Sequence, residues 1–184
     1  MEFPKATEQH PYYATYIGHL PKRDPLQLLE ETQAYGEYIL AQVPADKYNY
    51  AYAEGKWTIK GLLLHLIDTE QIMAYRALRF ARNDFQGALP FDQDDYALNS
   101  RAENIDWEHL KQHASLLRAT TLQQFSAYDT EQESRGGSKI FPNSVRAIAC
   151  IIAGHQLHHL YVLQRRYLEQ APMLLDAFLS IDSQ

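Results

Sequence analysis

His155 and His159 stand four residues apart in the run Gly154-His155-Gln156-Leu157-His158-His159-Leu160-Tyr161. Wound as a helix, that spacing stacks two imidazoles on one face, one turn apart. A neutral imidazole offers one acceptor nitrogen, so two on one face can act as ligands of a divalent transition metal. His65 occupies a comparable apolar run, Leu62-Leu63-Leu64-His65-Leu66-Ile67-Asp68, and supplies a third nitrogen if its helix faces the pair. Three protein ligands with one open position is the arrangement of a catalytic zinc site. Nickel, iron or manganese suit the same ligands, because metal identity follows geometry and availability.

Spacing alone decides little in a chain with eight histidines. His109 and His113 are also four apart, yet they stand beside Glu108, Lys111 and Gln112 on a polar stretch, the composition of a solvated face. The pair at 155 and 159 differs in its surroundings. At about 100° per residue, Ile148, Ile151, Ile152, His155, His159 and Val162 fall on one stripe, so these histidines face a core. Burying an imidazole there costs roughly 1–3 kcal/mol unless its nitrogens find partners. A carbonyl or carboxylate can be that partner as well as a metal, so a structural role stays open for each histidine. No His-Glu-x-x-His run occurs, and no Glu stands three residues before a His, which removes the zincin and carboxylate di-iron patterns and leaves a mononuclear site.

Four helices are expected to carry these residues. The first opens at Asp24-Pro25, an N-cap followed by proline at the first helical position, and runs to the stop at Pro44. Thr58 caps the second, over 59–82, whose apolar residues cover most of its circumference, so it is buried on several sides. The third spans 106–128, and the fourth starts at Asn143 or Ser144 and continues to about 169. Residues 85–101, with Gly87, Pro90 and the acidic trio Asp92, Asp94 and Asp95, read as a long loop of the kind that frames a site. Residues 129–142 read as a turn or short hairpin. With no internal repeat and no period-2 alternation, the fold class is all-α, an antiparallel four-helix bundle. The 184 residues form one domain, 1–184, with a Tyr-rich N-terminal arm at 1–23 and a C-terminal segment at 171–184 docked on the bundle.

The composition narrows the partners. A net charge of -6, with basic residues scattered among acidic ones, argues against nucleic acid. No apolar run is long enough for a membrane span, and the N-terminus has no secretory pattern, so a cytoplasmic protein is expected. The single Cys150, among Ala149, Ile151 and Ile152, reads as a small buried hydrophobe and excludes an internal disulfide.

Several runs are familiar in combination and order: Gly55-Lys56-Trp57-Thr58-Ile59-Lys60, His65-Leu66-Ile67-Asp68-Thr69-Glu70, and Tyr75-Arg76-Ala77-Leu78-Arg79-Phe80-Ala81-Arg82-Asn83-Asp84. With Leu89-Pro90-Phe91-Asp92, Ser144-Val145-Arg146-Ala147 and Gly154 to His159, the chain resembles the DinB/YfiT-like metalloenzyme superfamily over nearly its whole length. The resemblance implies a four-helix bundle with a three-histidine metal site of zinc or nickel. His65 matches the ligand of the second helix, and His155 and His159 match the pair of the fourth. It also implies either a metal-dependent hydrolase or a transferase using a low-molecular-weight thiol. Gln156 and Gln71 depart from the family pattern, which commonly has Glu and Arg at those two positions, so a charge is missing at each.

Other residues complete the candidate site. Asp68, one turn after His65, can accept an imidazole N–H or hold a reacting water, or else pair with a nearby Arg. Arg76 returns to the His65 face about 16 Å along the helix, where it can bind an anionic substrate end. The stronger expectation is that Arg76 and Arg79 anchor the acidic loop around Asp92, Asp94 and Asp95. His158 can line the same cavity without ligating. Trp57 can cover the mouth of the site, though packing on the N-terminal arm is the commoner use of such a residue. These readings describe a metal-dependent enzyme acting on a small molecule. The alternative is a noncatalytic bundle that binds a metal or small ligand, or packs as an oligomer such as a homodimer.

Overall fold

A computed structural model of the chain describes residues 1–86, 89–137 and 141–182. Gly87 and Ser138, which bore on the loop and turn readings, lie outside the described residues, as do the last two residues of the C-terminal segment. Four long helices form the bundle: α2 (Pro25–Leu40), α3 (Ile59–Ala81), α5 (Trp107–Ser126) and α7 (Val145–Val162). Each begins at the expected cap. The side chains of Asp24, Thr58, Asp106 and Ser144 accept from the backbone N–H of Leu26, Gly61, His109 and Ala147 in turn. Asn83, in the left-handed region at φ 59°, closes α3 where the sequence placed its end.

The helices do not pair in sequence order. α2 packs on α5 and α7, and α3 packs on the same two, which sets α2 diagonal to α3 and α5 diagonal to α7. Residues 41–58 and 127–144 carry the diagonal crossings. Leu28 and Leu29 of α2, Leu62, Leu63 and Ile67 of α3, and Ile148 and Ile151 of α7 are among the buried core. Cys150 is fully buried within it, and burial pushes its thiol pKa up, as fits a structural hydrophobe. No helix among the described residues is long and apolar enough to cross a membrane.

Two stretches read as loops contain helices. Within 85–101, Asp92 accepts from the N–H of Asp94 and Asp95 and starts α4 (Gln93–Asn99). Within 129–142, a reciprocal cap between Asp129 and Gln132 starts α6 (Thr130–Ser134). Among the described residues, an isolated antiparallel bridge joins Gly136 to Ser144. Both helices are shorter than the window in which helical periodicity can be recognised. The N-terminal arm holds α1 (Ala14–Gly18), packed on α7, and the C-terminal segment folds as α8 (Leu175–Asp182), packed on α2.

Past Val162 the fourth helix widens into a π-helical turn, Leu163–Tyr167, that ties down both ends of the fold. Buried Gln164 donates to the Tyr35 hydroxyl at 2.6 Å and accepts from the N–H of Met173 at 3.1 Å. Tyr35 in turn donates to the Met173 carbonyl at 2.6 Å, which fixes the approach to α8. Tyr167 donates to the carbonyl of Trp57 at 2.8 Å, so this turn also sets the position of the residue that precedes α3.

Candidate metal centre

His65 of α3 and His155 and His159 of α7 converge. Nε2 of His155 lies 3.1 Å from Nε2 of His65 and 3.1 Å from Nε2 of His159. One ligand atom from each histidine falls within 4.8 Å of the others. His65 and His155 are buried and His159 is half-buried. Burial first, and then the neighbouring imidazoles, hold His155 well below its ordinary pKa. Burial likewise takes His65 to about 4 and His159 to about 3. All three are therefore neutral at pH 7, the form that has a lone pair to give.

These donors fit a divalent metal on their own chemistry. A ring nitrogen carries one proton or one lone pair, so Nε2 of His155 can make one well-directed hydrogen bond, yet it has two neighbours at 3.1 Å. A cation that accepts a lone pair from each of the three nitrogens removes that conflict. Among the described residues, Nδ1 of His159 is buried with no hydrogen-bond partner, so the protein does not itself satisfy this ring.

The surroundings sort the other candidates. Trp57 lies against His65 with ring centroids 4.6 Å apart and tilts toward His159 at 6.4 Å, so it covers that side of the centre. A cavity of about 460 Å³ opens on the other side, reaching His65 and His155 and walled by Tyr12, Tyr13 and Tyr16 of the arm and Arg76 of α3. The ring of Tyr16 stands edge-on to His155 at 5.2 Å, and burial raises its phenol pKa to about 12, so it stays protonated as a donor. Arg76 reaches the expected loop, 85–101, through the loop's backbone. It donates to the carbonyl of Leu89 at 2.6 Å and lies over the Phe141 ring at 4.6 Å, with Tyr13 offsetting the burial that lowers its pKa. Arg79 pairs instead with Asp84 at 2.8 Å and also donates to the carbonyl of Gln86.

Two of the expected residues point elsewhere. Asp68 lines neither this cavity nor the one inside the bundle; its electrostatic neighbour is His113 of α5, and burial raises its pKa. His158 turns to the arm, stacked on His19 at 5.9 Å. Two carboxylates, Asp92 and Asp94, line the cavity, and the charge of the exposed Asp94 acts on His65. Sequence reasoning placed Asp94 in a long loop of the kind that frames a site but gave it no chemical role, because its helix was not recognised. Thr69 was also missed, although its place four residues after His65 puts it on the same helical face. Of the two departures from the family pattern, Gln71 is exposed, and Gln156 turns toward Gly36 of α2.

The sequence pattern of the DinB superfamily matches residues 28–163, which span all four long helices and all three histidines. The chain belongs to the DinB superfamily. Its fold is similar to the solved structure of YfiT from Bacillus subtilis, described as a probable metal-dependent hydrolase with an unusual four-helix bundle topology. The likeness has a TM-score of 0.67 at 15% identity and covers 97% of this chain and 94% of that one. No curated protein matches the sequence. In this DinB protein the bundle sets α2 diagonal to α3, each packed on α5 and α7.

Proposed function

We propose that this DinB protein is a metal-dependent hydrolase of a small molecule, with one zinc or nickel ion held by His65, His155 and His159. The observation that carries this reading is the meeting of three neutral imidazoles, two of which, His65 and His155, line an open cavity. Similarity to YfiT, described as a probable metal-dependent hydrolase, supports hydrolysis. A bound divalent ion supplies Lewis acidity, polarising a carbonyl or making a water or thiol more acidic. Arg76, beside Tyr13, binds an anionic end of the substrate, and the Tyr16 hydroxyl donates to a substrate oxygen. Trp57 keeps water from the His65 side. Asp94 takes the proton released by the nucleophile, the role the sequence had offered to Asp68. A second reading, transfer to a low-molecular-weight thiol, is compatible with a cavity of about 460 Å³, which has room for a cosubstrate.

Protein made without a histidine tag or nickel column tests both parts. Metal analysis should find close to one equivalent of zinc or nickel in the native chain and almost none in His155→Ala. Ester and amide hydrolysis, screened beside thiol conjugation, should depend on that metal. Asp94→Asn should retain the metal but lose on the order of 10²-fold or more in turnover, while Asp68→Asn changes turnover little. A native chain that neither binds these metals nor gains stability from them would return the histidines to a structural role.

A further inference from the structure

A second cavity, of about 320 Å³, lies inside the bundle and is walled by all four long helices. Leu63, Leu66 and Ile67 of α3, Leu117 of α5 and Ile152 and Leu160 of α7 give it apolar sides. It meets the polar cavity at Thr69, Met73, Ile151 and His155, which line both. The two spaces therefore lie on either side of these four residues beside the candidate metal centre, one walled by the arm and the other by the core.

The chemistry of the wall restricts what this inner space can hold. Its two buried charges, Glu70 and Arg118, are spent on each other through bonds of 2.8 and 2.7 Å, which leaves no unpaired charge for an ionic ligand. Glu37 and Glu108 are exposed, at the solvent end, and the half-buried Lys111 there pairs with Glu108 at 2.9 Å. Thr69 is 5% exposed, and among the described residues its hydroxyl has no hydrogen-bond partner. The side-chain carbonyl oxygen of Gln156, on the same wall, is also buried without a partner. Unpaired buried groups of this kind carry a desolvation penalty that a ligand's polar end can relieve. Predominantly apolar walls with a few convergent polar groups are the usual character of a small-molecule site, and the volume is at the lower end of their range.

We propose that the inner cavity takes a neutral alkyl or acyl chain of the substrate, with the polar reacting end at Thr69 and His155. The position of the reacting end rests on the metal-dependent reading above; binding of the chain does not. Calorimetric titration of the full-length protein with 1-alkanols from butanol to decanol, with and without one equivalent of zinc, separates the two. Affinity should rise about fourfold per methylene until the space is filled and then level off. Ala114→Leu, which places three more carbons into the cavity, should weaken 1-octanol binding at least tenfold with zinc stoichiometry unchanged. Thr69→Val should weaken it severalfold and keep the same dependence on chain length. Affinity without length dependence, or undiminished octanol binding by Ala114→Leu, overturns the proposal. If that variant does not fold, methyl NMR of the unsubstituted protein decides: octanol must shift Leu63, Leu66 and Ile67, and unshifted methyls overturn it too. Alkanol binding without zinc binding would sink the metal reading and leave the chain site standing.

Discussion

Arg118 and Glu70 show how much of this bundle rests on one buried ion pair. Arg118 donates to both carboxylate oxygens of Glu70, to the carbonyl of Leu29 at 2.9 Å and to the hydroxyl of Thr32 at 3.2 Å, so one side chain of α5 binds both α2 and α3. Its side chain is 3% exposed and that of Glu70 10%. Removing one partner leaves the other charge buried and uncompensated, which typically costs about 3–5 kcal/mol. Arg118→Met should therefore lower the unfolding free energy by about that amount in urea titrations. The double variant Glu70→Leu, Arg118→Met should lose clearly less than Arg118→Met alone, because no orphan charge remains. A cost below about 1 kcal/mol for Arg118→Met would mean the pair contributes no more than a surface bridge. The sequence could not announce this pair, since a Glu and an Arg in amphipathic helices look the same whether they face water or each other. His65, His155 and His159 were legible because histidines within apolar runs conflict with their neighbours. Asp68 was chosen over Asp94 because helix periodicity ranks residues on one helix and cannot reach a carboxylate on another.

The N-terminal arm and α7 depend on a position that helix propensity alone would reject. Gly154 sits within α7, where glycine costs about 1 kcal/mol relative to alanine. A Cβ there would fall 2.3 Å from the carbonyl oxygen of Tyr16 and 2.6 Å from its carbonyl carbon, so backbone of α1 occupies the space. Gly154→Ala gains helix propensity and must push that backbone away, an overpacking cost of about 1–3 kcal/mol. The net expectation is a modest loss of stability with a larger local effect. Proteolysis of the arm should quicken, and metal affinity should fall as Tyr16 moves from His155. A higher melting temperature with an unchanged proteolysis rate would show that the arm yields at no cost. At this scale the four long helices and their caps were readable, because Asp24, Thr58, Asp106 and Ser144 satisfy orphan N–H groups by local chemistry. The diagonal order was not, since a long connection can reach either neighbour and nothing local selects one. The helices α4 and α6 escaped for the opposite reason, being too short to display a period.

The arm also makes the polar cavity a property of the whole molecule, since Tyr12, Tyr13 and Tyr16 form its wall from residues far in sequence from the histidines. An ionic tether adds to the seating of Ile17 and Leu20 of the arm in the core. Arg146, 5% exposed at the start of α7, donates to both carboxylate oxygens of Glu8 and to Glu2 at 3.0 Å, and Ser144 donates its N–H to the Glu8 carbonyl at 2.9 Å. The Arg146 guanidinium holds the Glu8 carboxyl below its ordinary value of 4.5, against the opposing effect of burial. Between the folded and unfolded pKa values the unfolded chain binds more protons, so stability rises with pH there. The contribution is complete above about pH 4.5 and disappears as pH falls through the lower, folded value. Glu8→Gln should cost about 1 kcal/mol at pH 7, the size of a favourable, partly exposed pair. That difference should shrink below pH 4.5 and vanish once pH has fallen through the lower, folded value. Urea titrations of both proteins across this range give the difference, and hydrogen exchange of the Ala14–Gly18 amides shows whether the arm opens before the bundle. A difference that stays constant with pH would mean that the glutamine amide disturbs packing and that the charge on Glu8 does not hold the arm. If the difference does fall with pH, mild acid should loosen the Glu2–Glu8 stretch of the arm first, because its hold on Arg146 is ionic, while α2, α3, α5 and α7, whose contacts are mostly apolar, remain packed.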